Sequence, residues 1–449
     1  MANPGYVRST DGADADNGST WALSNATLSG AMADQVAGDR IWVSDAHSET
    51  TAGAITITMP GTLSSPTQIY CGDDVAEPPT ALTTTAIVAT TLANSISING
   101  SGYIYGIEFS AGSGTSSASI INQNTNADAV QIYDTCRFIL AGNNSGGRML
   151  MGPTGTAAVA VTWKDCNVKF AHASQGLAPR GAMFKWFGGT VIAAGTTPTA
   201  VIVSLAASNK ASNVEIAGVD FSGFAATVSL VLGSGVSGGA TAVFRGCTLP
   251  ALWSGTLVSG AVVGPGARIS MYNCDSADTN YRLWVEDYFG SIKHDAAIYL
   301  DASDGTTSIS WKMVSVADAE YPLCVLYSDW ILIWNTATGG TKVVTVEIVH
   351  DNAIALNNNE VWAEAEFLSG STAPLSDFAH DAPATLLTAT AAQTTSTAAW
   401  TDTGGFTNVN KQKLEVTTGT INEAGWIRVR VALAKASYTI YVDPSAAVA

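Results

Sequence analysis

The sequence predicts an all-β protein: a parallel β-helix with an N-terminal capping helix, followed by antiparallel β-sandwich modules. Three observations lead there. Helical periodicity is nearly absent outside one short stretch. A β-rich unit recurs through residues 95–280, and beyond about 281 the short Gly/Ser-rich units give way to longer alternating strands.

The repeat is read by laying segments under one another: YIYGIEFSA (103–111), VQIYDTCRFI (130–139), VTWKDCNVKF (161–170), VEIAGVDFSG (214–223), AVFRGCTLPA (242–251) and ISMYNCDSAD (269–278). FKWFGGTVIA (184–193) is a looser member. Each has an alternating strand, a short corner, an aliphatic residue or Cys, and a second short strand. Aligning Ile107, Cys136, Cys166, Thr190, Val219, Cys247 and Cys274 gives spacings of 29, 30, 24, 29, 28 and 27 residues. Such a period belongs to solenoids or propellers, and a propeller blade needs about 40 residues and four strands. One unit per coil of a parallel β-helix fits better, with equivalent side chains stacked inside.

This alignment gives the cysteines a place. Ile107, Cys136, Cys166, Val219, Cys247 and Cys274 form an expected core ladder, its thiols reduced and inert. The six cysteines, which include Cys71 and Cys324, form no CxxC pair and have no His at zinc spacing. Neither a metal nor a cofactor is expected.

A solenoid needs its first coil covered, because an open end exposes strand edges and apolar core. TLSGAMADQVAG (27–38) suits that task. Leu28, Ala31, Met32 and Val36 recur at helical spacing, Asn25 or Thr27 offers a cap, and Gly38 a stop. RIWVS (40–44) then reads as the strand that starts the stack. Ahead of the helix, DGADADNGSTW (11–21) has the look of a calcium loop but fails the count. From Asp11 the third position is Ala13, from Asp14 the fifth is Gly18, and no Glu occurs before Glu49. Its aspartates read as turn formers.

After residue 281 come SISWKMVSV (308–316), WILIWN (330–335), KVVTVEIVHD (342–351) and VWAEAEFLS (361–369), the alternation of antiparallel strands with one face buried. The expected division is 1–45 for the lead-in, capping helix and first strand, and 46–280 for the β-helix. A β-sandwich takes 281–380, and 381–449 is a C-terminal β module or an extension of that sandwich.

Composition narrows the function. Lys and Arg number 20 against 37 Asp and Glu, a formal charge of −17, which opposes binding to a phosphate backbone. No stretch of about 18 apolar residues offers a membrane span. The start MANPGYVRSTDGADAD lacks a basic region followed by an apolar core, so assembly in a cytoplasm is expected.

The run DG…GSTW…ATLSGAM…AGDRIWVS, carried by Asp11, Gly12, Gly18, Thr20, Trp21, Leu28, Gly38, Asp39, Ile41 and Val43, resembles the opening segment of right-handed parallel β-helix proteins of the pectate-lyase-like superfamily. The later strands SDGTTSISWKM, VVTVEIVHD, EVWAEAEF and WIRVRVALAK…YVDP resemble the β-rich modules of bacteriophage virion proteins. Together the resemblances imply a phage structural protein of tailspike, fibre or capsid-decoration type. They imply a homotrimer assembled in the host cytoplasm, displayed on the virion surface, and partnered by capsid or tail proteins.

Relatives on this fold that cleave polysaccharides use calcium-binding aspartates with a basic residue, or paired carboxylates. Across 95–280 acidic residues are few. Asp134 and Asp165 both precede the ladder and, stacked one coil apart, would stand about 5 Å from each other. They are the candidates for a polysaccharide depolymerase acting on host surface glycan, although a solvated corner explains them equally. Trp163 and Trp186 fall on inward strand positions, and Trp253 is a further aromatic. With few exposed charges or aromatics expected on the coils, a non-enzymatic cement or spike protein is the leading expectation.

Overall fold

The computed structural model describes residues 4–114, 118–123, 128–152, 159–192, 201–204, 212–232, 241–251, 258–259, 268–276, 283–286, 295–301, 308–314, 324–327, 331–333, 341–350, 356–357, 360–369, 385–388, 392–396, 410–417, 425–435, 438–442 and 447–448 of the chain. The chain forms two compact units, Met1–Ala242 and Val243–Ala449.

The first unit is a parallel β-helix with three faces. The first face stacks Arg40–Ser44, Thr67–Gly72, Gly102–Tyr105, Val130–Asp134, Val159–Lys164, Ala182–Phe187 and Asn213–Ala217, each parallel to the next. The second stacks Ser48–Thr51, Ala86–Thr90, Ile107–Ala111, Arg137–Leu140, Asn167–Phe170 and Val191–Ile192. The third runs from Ile55–Thr58 through Ile96–Asn99, Ile120–Gln123, Arg148–Met151, Gly176–Pro179 and Val201–Ser204 to Ser229–Leu232. One coil therefore visits each face in turn and advances by one strand. Alternation sends every second side chain inward, as the pleat requires.

The turn from first to second face is built the same way in successive coils. Gly106, Thr135, Asp165, Gly188 and Gly218 all take positive φ, from 49° at Asp165 to 76° at Gly106. That conformation suits Gly and is tolerated by Asp, whereas Thr is strained there. The corner N–H then reaches the coil that follows: Gly106 donates to the Asp134 carbonyl at 3.1 Å, Thr135 to Lys164 at 2.8 Å, Asp165 to Phe187 at 2.8 Å and Gly188 to Ala217 at 2.9 Å.

Inside, aromatic side chains stack along the axis. Phe138 lies between Phe109, at 5.9 Å, and Trp163, at 4.6 Å, and Trp163 meets Trp186 at 5.2 Å. Trp163 and Trp186 are fully buried, on the inward positions the alternation predicts. Their polar edges are satisfied, Trp163 Nε1 donating to Gln123 Oε1 at 3.0 Å and Trp186 Nε1 to the Cys166 carbonyl at 3.3 Å. This follows the rule that buried indoles find acceptors.

The capping helix differs from expectation. Only α1 (Leu28–Ala31) is α-helical, followed by a 3₁₀ turn at Met32–Asp34. Leu28, Ala31 and Met32 are buried over the first coil, but Val36 is 66% exposed. A tight turn explains the early stop: Val36 N–H donates to Asp39 Oδ2 and Asp39 N–H to the Val36 carbonyl. The stack also starts earlier than predicted. Gly5–Val7 pairs in parallel with Arg40–Ser44, Gly5 opposite Ile41, so RIWVS is the second rung of its face.

In the second unit, Thr248–Leu249 still pairs in parallel with Arg268–Ser276. On its other side Arg268–Ser276 takes an antiparallel partner, Leu283–Glu286, and the parallel regime ends there. Among the described residues two antiparallel arrays of strands follow. One runs from Leu283–Glu286 through Cys324–Tyr327, Gly425–Leu433 and Val361–Ser369 to Thr385–Thr388. The other runs from Asp295–Asp301 through Ser308–Val314, Thr439–Val442, Val343–His350 and Asn410–Thr417 to Ala392–Ser396. Strands from beyond residue 380 thus alternate in both sheets with strands from before it. Val361, Ala363 and Ala365 are buried, as are Leu414 and Val416.

Candidate functional site

The sequence-predicted residues occupy the following places. Ile107, Cys136, Cys166 and Val219 are buried at the start of the second face, and in the second unit Cys247 and Cys274 are buried as well. Register aligns Glu108 with Arg137 and Arg137 with Asn167, so Ile107, Cys136 and Cys166 are equivalent. In the next coil Val168 opposes Val191, which gives the equivalent place to Gly189 rather than Thr190. The register is unchanged across the corner, Lys164 opposing Phe187 before it and Val168 opposing Val191 after it, so Gly188 matches Asp165 and Gly189 matches Cys166. A Cβ at Gly189 would lie 2.0 Å from the Cys166 carbonyl oxygen. Toward the N-terminus the ladder continues at Ala86, which opposes Ile107, and Cys71 lies on the first face. Burial holds the Cys166 thiol well above its ordinary pKa.

Asp134 and Asp165 do not stack. Register places Lys164 opposite Asp134, and Asp165 is the corner residue one step on. Asp134 Oδ2 accepts the Tyr103 hydroxyl at 2.8 Å, and its Oδ1 accepts the Thr135 hydroxyl at 3.0 Å. Trp253 lies outside the described residues.

In the lead-in, Asp11 and Asp14 are bound within the protein. Asp11 pairs with Arg8, with 2.8 Å from Nη2 to Oδ2. Asp14 accepts the Thr27 N–H and hydroxyl, each at 2.8 Å. Among the described residues no cluster of His, Cys, Asp and Glu suits a metal ion, and no helix is long and apolar enough to cross a membrane.

The outer surface of the first face carries what the sequence reading missed. Outward positions form two rows. One holds Arg40, Gln68, Tyr103, Ile132, Thr162, Lys185 and Glu215; the other holds Tyr6, Trp42, Tyr70, Tyr105, Asp134, Lys164 and Phe187. Trp42 and Tyr70 have ring centroids 5.3 Å apart, and Tyr70 and Tyr103 5.6 Å. The Arg40 guanidinium lies over both Trp42 and Tyr70, at 5.9 and 5.6 Å, a geometry in which a cation is attracted by the ring quadrupole. Lys185 Nζ pairs with Glu215 at 3.2 Å. Partial burial and the Asp134 carboxylate on its hydroxyl raise the Tyr103 phenol above its ordinary value, so it is a neutral donor.

The upper part of this strip is fixed by the lead-in. Trp21 packs edge-on against Tyr6 at 4.8 Å, and its N–H and Nε1 donate to Glu77 Oε1 and the Ala76 carbonyl in the loop after Thr67–Gly72. The expectation of few exposed aromatics on the coils is to be read against this face, where Tyr6 and Trp42 point outward but are buried and Tyr70, Tyr103 and Tyr105 are half-buried. The signal lay in the strands RIWVS, TQIYCG and GYIY: where Ile41, Val43, Ile69 and Ile104 point inward, Trp42, Tyr70, Tyr103 and Tyr105 must point outward. Tyr6 and Trp42 are themselves buried, clustered with Trp21, so the rings left half-buried on this face are Tyr70, Tyr103 and Tyr105, which with the Gln68 amide, Arg40 and Asp134 can hydrogen-bond to a polyhydroxylated chain.

These features define a parallel β-helix protein with an antiparallel C-terminal region and a structured aromatic face. No known protein family matches this chain, and no curated protein does. Among solved structures it is similar to the enzymatically active domain of tailspike protein 4 of bacteriophage CBA120, at 11% identity and a TM-score of 0.22. That match covers 94% of this chain, which spans 65% of the length of the tailspike domain. It is also similar to the tailspike protein of Acinetobacter phage vB_ApiP_P1, at 12% identity, 82% and 81% coverage and a TM-score of 0.12. Likenesses at such scores have no bearing on function.

Proposed function

We propose that this chain is a bacteriophage virion surface protein, a trimeric spike or capsid-decoration protein that stabilises the particle and adheres to host surface glycan. The observation that supports the adhesive role is the outward, half-buried cluster of Tyr70, Tyr103 and Tyr105 on one face. The resemblance of the opening segment 11–43 supports placement among β-helix proteins, and the virion-like strands after 285 support the particle. In this reading residues 1–45 and the coils to about 280 form the stalk or knob, and 281–380 with 381–449 form the terminal module. A docking partner in the capsid or tail completes it.

Antibody labelling of purified virions under the electron microscope tests the assignment. Labels at multiple copies on capsid faces identify a decoration protein, labels at the tail a spike. Unlabelled particles would refute the virion assignment. The depolymerase alternative rests on Asp134, a carboxylate within the strip. Release of oligosaccharides from host capsule or lipopolysaccharide, lost on Asp134→Asn, would establish it, and intact glycans after prolonged incubation would end it.

A further inference from the structure

Two inward columns run down the second face, and each begins with an ionisable residue. Glu49 opposes Val88, and below it stand Phe109, Phe138, Val168 and Val191, all buried. Ser48 opposes Ile87, which sets His47 over Ala86 and so at the head of the ladder of Ile107, Cys136 and Cys166. A solenoid stacks equivalent side chains inside, so an imidazole and a carboxylate at these two places break the local rule. Both are buried, His47 at 1% and Glu49 at 8% exposure. His47 Nε2 lies 3.6 Å from Glu49 Oε2, and neither ring nitrogen has a hydrogen-bond partner among the described residues. The same carboxylate oxygen accepts the Leu28 N–H at 3.0 Å. The pair thus stands between the core and the cap.

Other charges nearby have partners of their own. Arg8 pairs with Asp11 and Asp74, and Asp74 accepts the Ser44 hydroxyl at 2.8 Å. In the lead-in and cap, Asp14 is bonded to Thr27 and Asp34 to Asn25. Asp45, in the turn ahead of His47, is half-buried, and among the described residues Glu49 is the carboxylate in ion-pair contact with His47. The next coil presents Ala86 and Val88, which carry no charge. A buried carboxylate is costly unless it is paired as well as hydrogen-bonded. We propose that His47 and Glu49 form a proton-operated latch on the cap: a proton on His47 completes a buried ion pair that holds Glu49 under the Leu28 N–H, and its loss releases the cap. Stability that depends on a bound proton is present when the group is protonated and is lost as pH rises. Raising the pH therefore leaves the carboxylate buried against a single donor and loosens residues 28–34. Acid strong enough to protonate Glu49 loosens them too, because a buried imidazolium is then left alone. The latch involves only the cap and the first coil, and it stands apart from the adhesive reading.

Amide hydrogen exchange of the full chain, corrected for the intrinsic pH dependence of exchange, tests this. Lowering the pH from about 8 to about 6, across the range in which imidazoles ordinarily change charge, should raise protection at Leu28–Asp34 about tenfold, the effect of about one pH unit of linked proton uptake. Protection in the coils beyond the first should stay level. His47→Gln should abolish the rise, since nothing is left to take up the proton. Glu49→Gln keeps an acceptor for the Leu28 N–H without the charge, and should abolish it as well. A flat profile in the wild type, or a rise that survives His47→Gln, would overturn the latch. Where a variant does not fold, the wild type still decides. Deuterium exchange at the imidazole C2 position, read by mass spectrometry on the peptide bearing His47, reports its protonation. A midpoint that coincides with that of the Leu28–Asp34 protection supports the latch, and a His47 that keeps one protonation state from about pH 8 to about pH 6 overturns it.

Discussion

Both carboxylate oxygens of Asp14 are engaged by Thr27, one by its N–H and one by its hydroxyl, each at 2.8 Å. Thr27 Oγ1 in turn accepts the Gly30 N–H at 2.9 Å, while Glu49 Oε2 accepts the Leu28 N–H at 3.0 Å. An acidic loop that suggests a cation site is thus the first link in the chain of hydrogen bonds that seats the cap over the first coil.

Asp14→Ala should therefore loosen the cap. The expected loss is about 1–2 kcal/mol, the scale of a capping residue with charge-assisted bonds. Hydrogen exchange should show it as faster exchange at Leu28–Asp34 with little change in the coils beyond. Millimolar calcium should leave the wild-type melting temperature where it was. A calcium-dependent rise abolished by Asp14→Ala would contradict the turn-forming role.

Thr135 holds φ at 53°, a position filled by Gly in the equivalent corners at 106, 188 and 218. Left-handed conformation costs a non-glycine residue about 1–2 kcal/mol. Thr135→Asn should raise stability by about 1 kcal/mol, Asn tolerating the region better. Gly189→Ala should do the opposite, because φ is 91° there and the new Cβ would meet the Cys166 carbonyl oxygen at 2.0 Å. Denaturant midpoints of the two variants, measured beside wild type, check both signs.

The buried thiols should be silent. Cys71, Cys136, Cys166, Cys247 and Cys274 are all buried and none is in a disulfide, and burial keeps Cys166 protonated at a pH where an exposed thiol ionises. Iodoacetamide at pH 8 should leave Cys136 and Cys166 unmodified in the folded protein and alkylate them in guanidinium, as read by peptide mass spectrometry. Rapid modification of Cys166 under native conditions would remove it from the core.

Glu360 gives the second unit a pH dependence. Burial alone would raise its carboxyl, but the Asn357 N–H and the Lys435 ammonium, 3.0 and 2.9 Å away, outweigh it and hold the pKa below the usual 4.5. A carboxyl lowered on folding contributes stability that is full above its unfolded pKa and is lost as pH falls through the folded one. Stability should therefore decline below about pH 4.5, and Glu360→Gln should flatten part of that decline. An identical acid limb in the variant would show that this contact carries none of it.

Much of the fold was legible because a solenoid repeats its physics. Ile107, Cys136 and Cys166 recur at near-constant spacing since each coil must put a small or aliphatic group at the same inward place. Where the inward position is Gly189, with no side chain to mark it, pattern matching misleads and sets Thr190, one residue on, in its place. Gly5–Val7 was hidden for a different reason: three residues carry no periodicity, and only their pairing with Arg40–Ser44 defines them. The aromatic face escaped notice because Trp42 and Tyr70 belong to coils ahead of 95, where the long loop after Thr67–Gly72 breaks the repeat. Parity within each strand was sufficient to orient those rings; alignment between coils was not. For Asp134 and Asp165 the sequence could not fix a one-residue register difference, and that difference decides whether two carboxylates meet.

The corner hydrogen bonds also give the molecule a direction in time. Each corner N–H is satisfied by a carbonyl from the coil that comes after it in the chain: Gly106 waits for Asp134, Thr135 for Lys164, Asp165 for Phe187 and Gly188 for Ala217. During synthesis, at about 5–20 residues per second, a newly emerged coil therefore has an open corner until 22 to 29 more residues have left the ribosome. The growing end is never finished, while everything behind it is. Such a chain elongates like a filament with a single active tip, and a premature stop within the β-helix leaves one unsatisfied corner and a bare strand edge rather than a smaller complete protein.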